Sequence, residues 1–411
     1  MFKIGDVKFP DEKVRYEVAT MQYIAAKTTI PVPKIHHCGT SEENPLNLGP
    51  FIIMDYVEHD MNLSDLINDP ALEEDDSHRL NPNIDLGQLE TIYRQMANVL
   101  LQLSRLSFPR IGSLIKGSED EDFEVAGRPL IQNMNHLVEF SGIVPSLLPS
   151  KPYETAQEWY CAMADMHLAQ LVFQHNDAVE DEDDARDKYV ARILFRRLAC
   201  SGKLAAGFGD NTQQPSLTHF TLFSEDLRPS NVLIDKDVHF ASVIDWEFAY
   251  AAPAQFSADP PWWLILRHPE YWPDGYDAWL ETYEPRLEFF LKILEEEEQK
   301  LRNASPGETS DGPALSERMR QSWEDKTWMI SYAARRSYAL DFLYWRFLDS
   351  RFFGPNEVAD HHARIELLTD EEKSMMEDLV KVKKEESTER ILPEWDDKSA
   401  AEHLARFTPG I

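Results

Sequence analysis

The sequence predicts an α+β protein in which short strands are set among long amphipathic helices. Apolar residues recur at three- and four-residue spacing through most of the chain, the mark of helices that bury one face. That series breaks at residues 220–223, 232–234 and 241–244, short β-like runs joined by polar turns. Size allows such a plan, since 411 residues, 43% hydrophobic and 11% aromatic, bury a large core in two or more structural units.

Residues 11–27 read as the first helix, with Val14, Val18, Met21 and Ile24 in one stripe and Pro31 and Pro33 ending it soon after. Two strands follow, at 34–38 and at 50–57, the second an apolar β-rich run behind a Pro/Asn/Gly turn segment. From Asp60 onward the pattern is helical. Leu86, Leu89, Tyr93, Met96, Leu100 and Leu103 form one stripe, and Trp159, Met163, Met166, Leu168 and Leu171 another. Such stripes are core, and His167 within the second reads as a satisfied buried histidine. A third helix, 184–200, carries Tyr189, Val190, Ile193, Leu194 and Leu198, and its charges from Arg186 to Arg197 read as a solvated face. Past the β-like runs, 277–302 is amphipathic and 303–313 has the composition of a connector, either a loop within one domain or a linker. The last hundred residues are helical again and rich in aromatics, and there is no repeat of about 20–50 residues.

Charge excludes one class of partner. With 41 basic and 73 acidic residues the net charge is −32, which repels nucleic-acid phosphates and anionic membrane surfaces. The excess suits either a cationic substrate or simply a well-solvated surface. Cys38, Cys161 and Cys200 lie far apart without CxxC spacing, so neither a disulfide framework nor a zinc site is expected and a reducing compartment fits. The start, MFKIGDVKFPDEK, lacks a signal peptide's apolar run, and no segment reaches the ~18 apolar residues of a membrane span. The expectation is a soluble, intracellular, cytoplasmic protein with neither membrane nor nucleic-acid partner. Asn303-Ala304-Ser305 matches a glycosylation sequon, a chance match without a secretory signal.

The polar turns among the β-like runs carry the chemistry. Asp226 follows the first run, Asn231 comes five residues later, and Asp245 ends the last run fourteen residues after that. A strand-turn-strand arrangement brings all three to one edge. Mg²⁺ takes hard oxygen ligands of the kind one Asn and one Asp supply, together with substrate phosphates and water. Asp226 is then free to take a proton from a substrate hydroxyl or to orient it.

The stretch DLRPSN at 226–231 followed by VIDWE at 243–247 resembles the catalytic and metal-binding loops of the aminoglycoside phosphotransferase family, including its large fungal branch of small-molecule kinases. Upstream, EKVRYEVATMQYIAAKTTIPVPKI resembles the family's N-lobe helix and following strand, and GPFIIMDYVEH the strand leading into its hinge. The resemblance covers about residues 9–290. It implies a protein-kinase-like bilobal α+β fold: a partial, truncated N-lobe at 1–59 (strand, helix, two strands, hinge), then a mainly helical C-lobe at 60–411 with a catalytic hairpin at 220–250 and a helical C-terminal extension. It implies ATP and Mg²⁺ as cofactors, Asp226 as catalytic aspartate, and Asn231 and Asp245 as Mg²⁺ ligands. Backbone groups of Asp55, Tyr56 and Val57 would hold the adenine, and Glu17 matches the residue that pairs with a strand lysine to hold the phosphates. Arg228 either adds positive charge near the transferred phosphate or makes a surface salt bridge to Glu225 or Glu247.

Two departures from the family pattern stand out. Ser224 occupies the place of a motif histidine that braces the loop. Only ten residues precede the helix at 11, where the family has a glycine-rich loop and a strand lysine; Gly5 is the sole glycine there and Lys3 at most a weak substitute, while Gly207-Phe208-Gly209 stands in a polar turn ahead of the catalytic loop. The chain therefore reads as N-terminally short. Two functions stay open: transfer of the ATP γ-phosphate to a hydroxyl of a small-molecule substrate, a cationic one included, or a pseudokinase or interaction scaffold without productive ATP binding. Trp262 and Trp263, in the aromatic stretch 251–272, either wall a pocket for a cation or pack the core.

Overall fold

The computed structural model describes residues 8–73, 76–117, 122–175, 177–207, 219–304, 312–388 and 393–410. These gather into two compact units, one built from Pro10–Leu130 with His219–Trp328, the other from Ile131–Thr218 with Met329–Ile411.

The first unit opens with α1 (Pro10–Lys27), which has Asp11 and Glu12 in its first turn and Lys27 in its last, each favourable to the helix dipole. It buries Tyr16, Val18, Ala19, Met21 and Ile24. β1 (Ile35–Gly39) and β2 (Phe51–Met54) form an antiparallel pair, shorter than the run at 50–57 had suggested. After β3 (Met61–Asn62), Asn62 caps α2 (Leu63–Ile67) through the Asp65 N–H, and Asp85 caps α3 (Leu86–Ser104) through the Gln88 N–H. Leu89, Tyr93, Met96 and Leu103 of the expected stripe are buried, whereas Leu86 at the helix start is exposed. β4 (Ser107–Phe108) and the hairpin of β5 (Ser113–Lys116) with β6 (Phe123–Gly127) complete this segment. A Cβ on Gly127 would lie 2.6 Å from the Tyr16 ring, so β6 approaches α1 as closely as only glycine allows.

The chain then enters the second unit through α4 (Gln132–Phe140), α5 (Ala156–Phe173), α6 (Glu182–Cys200) and α7 (Lys203–Ala206). Thr155 and Glu158 form a reciprocal capping box at the start of α5. Two expectations are corrected in this unit. Cys161 and Cys200, thirty-nine residues apart, are joined by a disulfide from α5 to the end of α6, with Cα atoms 4.7 Å apart. Wide sequence spacing hid a pair that two packed helices bring together. Arg192, read as part of a solvated face, is 1% exposed: its guanidinium donates to the His167 carbonyl at 2.9 Å, to Gln170 Oε1 at 2.7 Å and to both Asp341 oxygens at 2.5 and 3.1 Å. That partner stands 149 residues along the chain, so spacing within α6 gave no sign of it.

Back in the first unit come β7 (Phe220–Ser224), β8 (Val232–Ile234), β9 (Phe240–Val243), β10 (Ala249–Pro253), α8 (Gly275–Ala304) and α9 (Leu315–Glu324). Two antiparallel three-stranded sheets result, ordered β10-β7-β4 and β3-β8-β9. Residues 305–311 of the expected connector lie outside the described residues. The second unit closes with α10 (Trp328–Arg335), α11 (Leu340–Leu343), a π-helical turn at Tyr344–Leu348, α12 (Asp349–Phe353), α13 (Asp370–Glu386) and α14 (Asp397–Phe407). Among the described residues no helix is long and apolar enough to cross a membrane.

Candidate active site

One loop joins the two sheets. β7 ends at Ser224, which lies opposite Ala249 of β10; the chain turns through Asp226 and a 3₁₀ turn at Pro229–Asn231 and leaves as β8. Asp226 and Asn231 are each 7% exposed, so their polar atoms need partners. They supply each other: the Asn231 side-chain amide donates to the Asp226 carbonyl at 2.9 Å and to Asp226 Oδ2 at 3.0 Å. Its Nδ2 thus engaged, Asn231 keeps Oδ1 as an acceptor. Arg228 Nε stands 3.0 Å from Asp226 Oδ1, an ion pair without the alignment of a hydrogen bond. Its partner is therefore the aspartate itself.

Asp245 is brought to this loop by backbone. The Ile244 N–H donates to the Asn231 carbonyl at 2.9 Å, and the Val243 N–H to the Pro31 carbonyl at 2.8 Å. Asp245 itself adopts φ of +63°, a left-handed conformation that a side-chain-bearing residue holds only when its surroundings enforce it. Trp246, 1% exposed, enforces it from one side, its indole N–H donating to the Val243 carbonyl at 3.1 Å. The Glu225 N–H reaches the Phe248 carbonyl at 3.3 Å and ties the segment back to the Asp226 loop.

Helix α1 supplies the remaining charges. Glu17 Oε1 accepts the Trp246 N–H at 3.3 Å. Burial, and then the neighbouring Asp245 and Glu247 charges, push the Glu17 carboxyl up to about 8. Glu247 is raised by burial and by Asp245 against the pull of Lys13, whose Nζ lies 3.2 Å from Glu247 Oε1. Lys13 is itself 7% exposed and sits 4.7 Å above the Phe248 ring. Sequence reasoning gave no role to Lys13 and offered Glu247 only as a salt-bridge partner for Arg228. The available signal was that Lys13 and Glu17 stand four residues apart, on one face of the helix.

Asp226, Asn231, Asp245, Arg228 and Glu17 are thus neighbours in one unit. Asp55, Tyr56 and Val57 follow the end of β2: the Asp55 N–H extends the ladder to the Lys34 carbonyl at 2.9 Å, the Asp55 carboxylate meets His36 Nε2 at 2.5 Å, the Val57 carbonyl faces His59 Nδ1 at 2.8 Å, and Tyr56 is 77% exposed. Trp263 is core, packed edge-on to Phe290, and Trp262 stacks on His268 at 3.6 Å. Asp235, Asp237 and His239 in the β8–β9 turn also group ligand atoms within 4.8 Å, yet Asp235 already accepts the Asp237 and His239 N–H groups at 2.9 Å. Lys3, Phe208 and Gly209 lie outside the described residues.

The model of the phosphotransferase enzyme family, APH, matches residues 7–290, from α1 through the loop and both sheets into α8. The chain belongs to this family. The α+β, protein-kinase-like fold class read from the sequence is that of this phosphotransferase family. Among similar proteins, clavilactone A biosynthesis cluster protein Y of Ampulloclitocybe clavipes is 28% identical over 261 residues, 61% of this chain and 53% of that protein. Altered inheritance of mitochondria protein 9, mitochondrial, of Candida glabrata is 22% identical over 282 residues, 60% of this chain and 44% of the relative. The chain spans about half the length of the curated relatives it matches. Among solved structures, a thermostable mutant of aminoglycoside phosphotransferase APH(4)-Ia in its apo form is similar at 15% identity and a TM-score of 0.33, covering 81% of this chain and 83% of the other. A further variant of that mutant, in ternary complex with AMP-PNP and hygromycin B, is 14% identical at the same TM-score, covering 80% and 82%.

Proposed function

We propose that this family member is a phosphotransferase that moves the γ-phosphoryl group of ATP to a hydroxyl of a small molecule. The observation that supports it most is the clasp of Asn231 on Asp226, with Asp245 held beside it through the bond from Ile244 to Asn231. Asp226 would accept the hydroxyl proton, its orientation held by the Asn231 amide and its charge balanced by Arg228. Asn231 Oδ1 and the Asp245 carboxylate are hard oxygen donors of the type Mg²⁺ takes, and the amide nitrogen's commitment to Asp226 leaves that oxygen for the role. When bound, the ion would neutralise charge on the ATP phosphates. Glu17 belongs to the phosphate side of this reading, and the backbone at Asp55, Tyr56 and Val57 to the adenine. A cationic acceptor suits the net charge of −32.

A second reading, a scaffold without turnover, draws on the same ion pair, since Arg228 and Asn231 between them face both oxygens of the proposed base. Thermal unfolding with ATP, with and without Mg²⁺, separates the two. The phosphotransferase reading expects a Mg²⁺-dependent stabilisation that Asp245→Ala removes. It also expects Asp226→Asn to keep that stabilisation while lowering turnover ~10²- to 10⁴-fold. Absence of any nucleotide shift in a cooperatively folding wild-type sample would favour the scaffold.

A further inference from the structure

We propose that Lys13 is a positioning residue for the nucleotide and metal site, acting from helix α1 through Glu247 and the Phe248 ring on the turn that carries Asp245. The inference rests on the phosphotransferase reading and extends it to a residue outside the loop.

Three consecutive residues after Asp245 are gripped from α1. Trp246 gives its N–H to Glu17, Glu247 pairs with Lys13, and Phe248 lies beneath the Lys13 ammonium. Lys13 and Glu17 are one helical turn apart, so a single face of α1 makes all three contacts. A lysine on a helix ordinarily keeps its ammonium in water, because enclosing it costs more than an ordinary surface ion pair contributes. Here the side chain is 9% exposed and its partner 27% exposed. The segment thus held needs such a grip. Asp245 adopts a left-handed backbone, and a conformation of that kind persists only where its neighbours over-determine it. Lys13 also sets a positive charge 3.2 Å from Glu247, two residues beyond Asp245.

The test is a Mg²⁺ titration of ATP-dependent thermal stabilisation, with steady-state kinetics once an acceptor is in hand. Lys13→Met should raise the Mg²⁺ midpoint ~10- to 100-fold, the usual effect of removing a partner that orients a metal ligand, and Lys13→Arg should restore most of it. In turnover the loss should fall on KM for ATP more than on kcat. Glu247→Gln should shift the midpoint in the same direction, and the double variant by less than the two single shifts combined, because the two side chains act as one pair. This pair of variants keeps the test alive if Lys13→Met does not fold. A wild-type shift with an unchanged midpoint in Lys13→Met overturns the role of Lys13 alone. So does a double variant in which the two single shifts combine in full, which would mean that Lys13 and Glu247 act independently. A wild-type chain with no nucleotide shift overturns the reading beneath the inference, and the inference with it.

Discussion

His167 shows how far a single residue departs from its free chemistry. It is fully buried, with Nδ1 2.8 Å from Ser337 Oγ, and burial followed by the nearby Arg192 charge pushes its imidazole down to about 3. The folded chain therefore refuses a proton that the unfolded chain takes up near 6.5. Stability from this group is complete above that value, falls as the pH drops below it, and is gone by about 3. Between about pH 6.5 and 5 the loss should be about 2 kcal/mol. Urea unfolding at the two pH values would read it, and His167→Gln should flatten the slope. The sequence marked His167 as a buried histidine, which it is, and singled out Asp226, Asn231 and Asp245, which the fold brings together, by their order and spacing. It did not identify Lys13, whose partner stands 234 residues away. A contact of that range leaves no trace in any local window.

Among elements, the legible ones were those with a period. α1 and α3 match most of their stripes, Val14, Leu86 and Leu100 being the members not buried, because repeated burial of one face writes itself into the sequence. The β5–β6 hairpin escaped, since strands of four and five residues are too short for a pattern and the residues around their turn are polar. β10 escaped because AYAAP has little of the β-branched content that marks a strand, although all five residues are buried in the sheet. Gly127, at the end of β6, was equally silent. Gly127→Ala should cost about 1–3 kcal/mol, because the new methyl meets the Tyr16 ring and neither α1 nor the sheet can yield freely. The same denaturation measurement checks it, and a variant as stable as wild type would show that the ring can move.

At the scale of the molecule, family membership was legible because its evidence is spread along the chain: the resemblance over about 9–290 agrees with the matched span of 7–290. The disulfide was not legible, and it makes stability a function of redox conditions. Closing a thirty-nine-residue interval should contribute about 4 kcal/mol in the chain-entropy account, so Cys200→Ser, or reductant, should lower the unfolding midpoint of the wild-type chain. A midpoint indifferent to dithiothreitol would mean that the thiols stay reduced in solution. The contacts of the site also differ widely in sequence span. Asn231 finds Asp226 across five residues, whereas Glu17 reaches Trp246 across 229. By flexible-chain statistics the longer closure costs about 3 kcal/mol more in entropy than the shorter. The loop is thus the easy half of the site to assemble, and the helix that braces it the hard half. A destabilised chain would let go of α1 while the Asp226 clasp was still closed, and would lose its grip on Asp245 before it lost its fold.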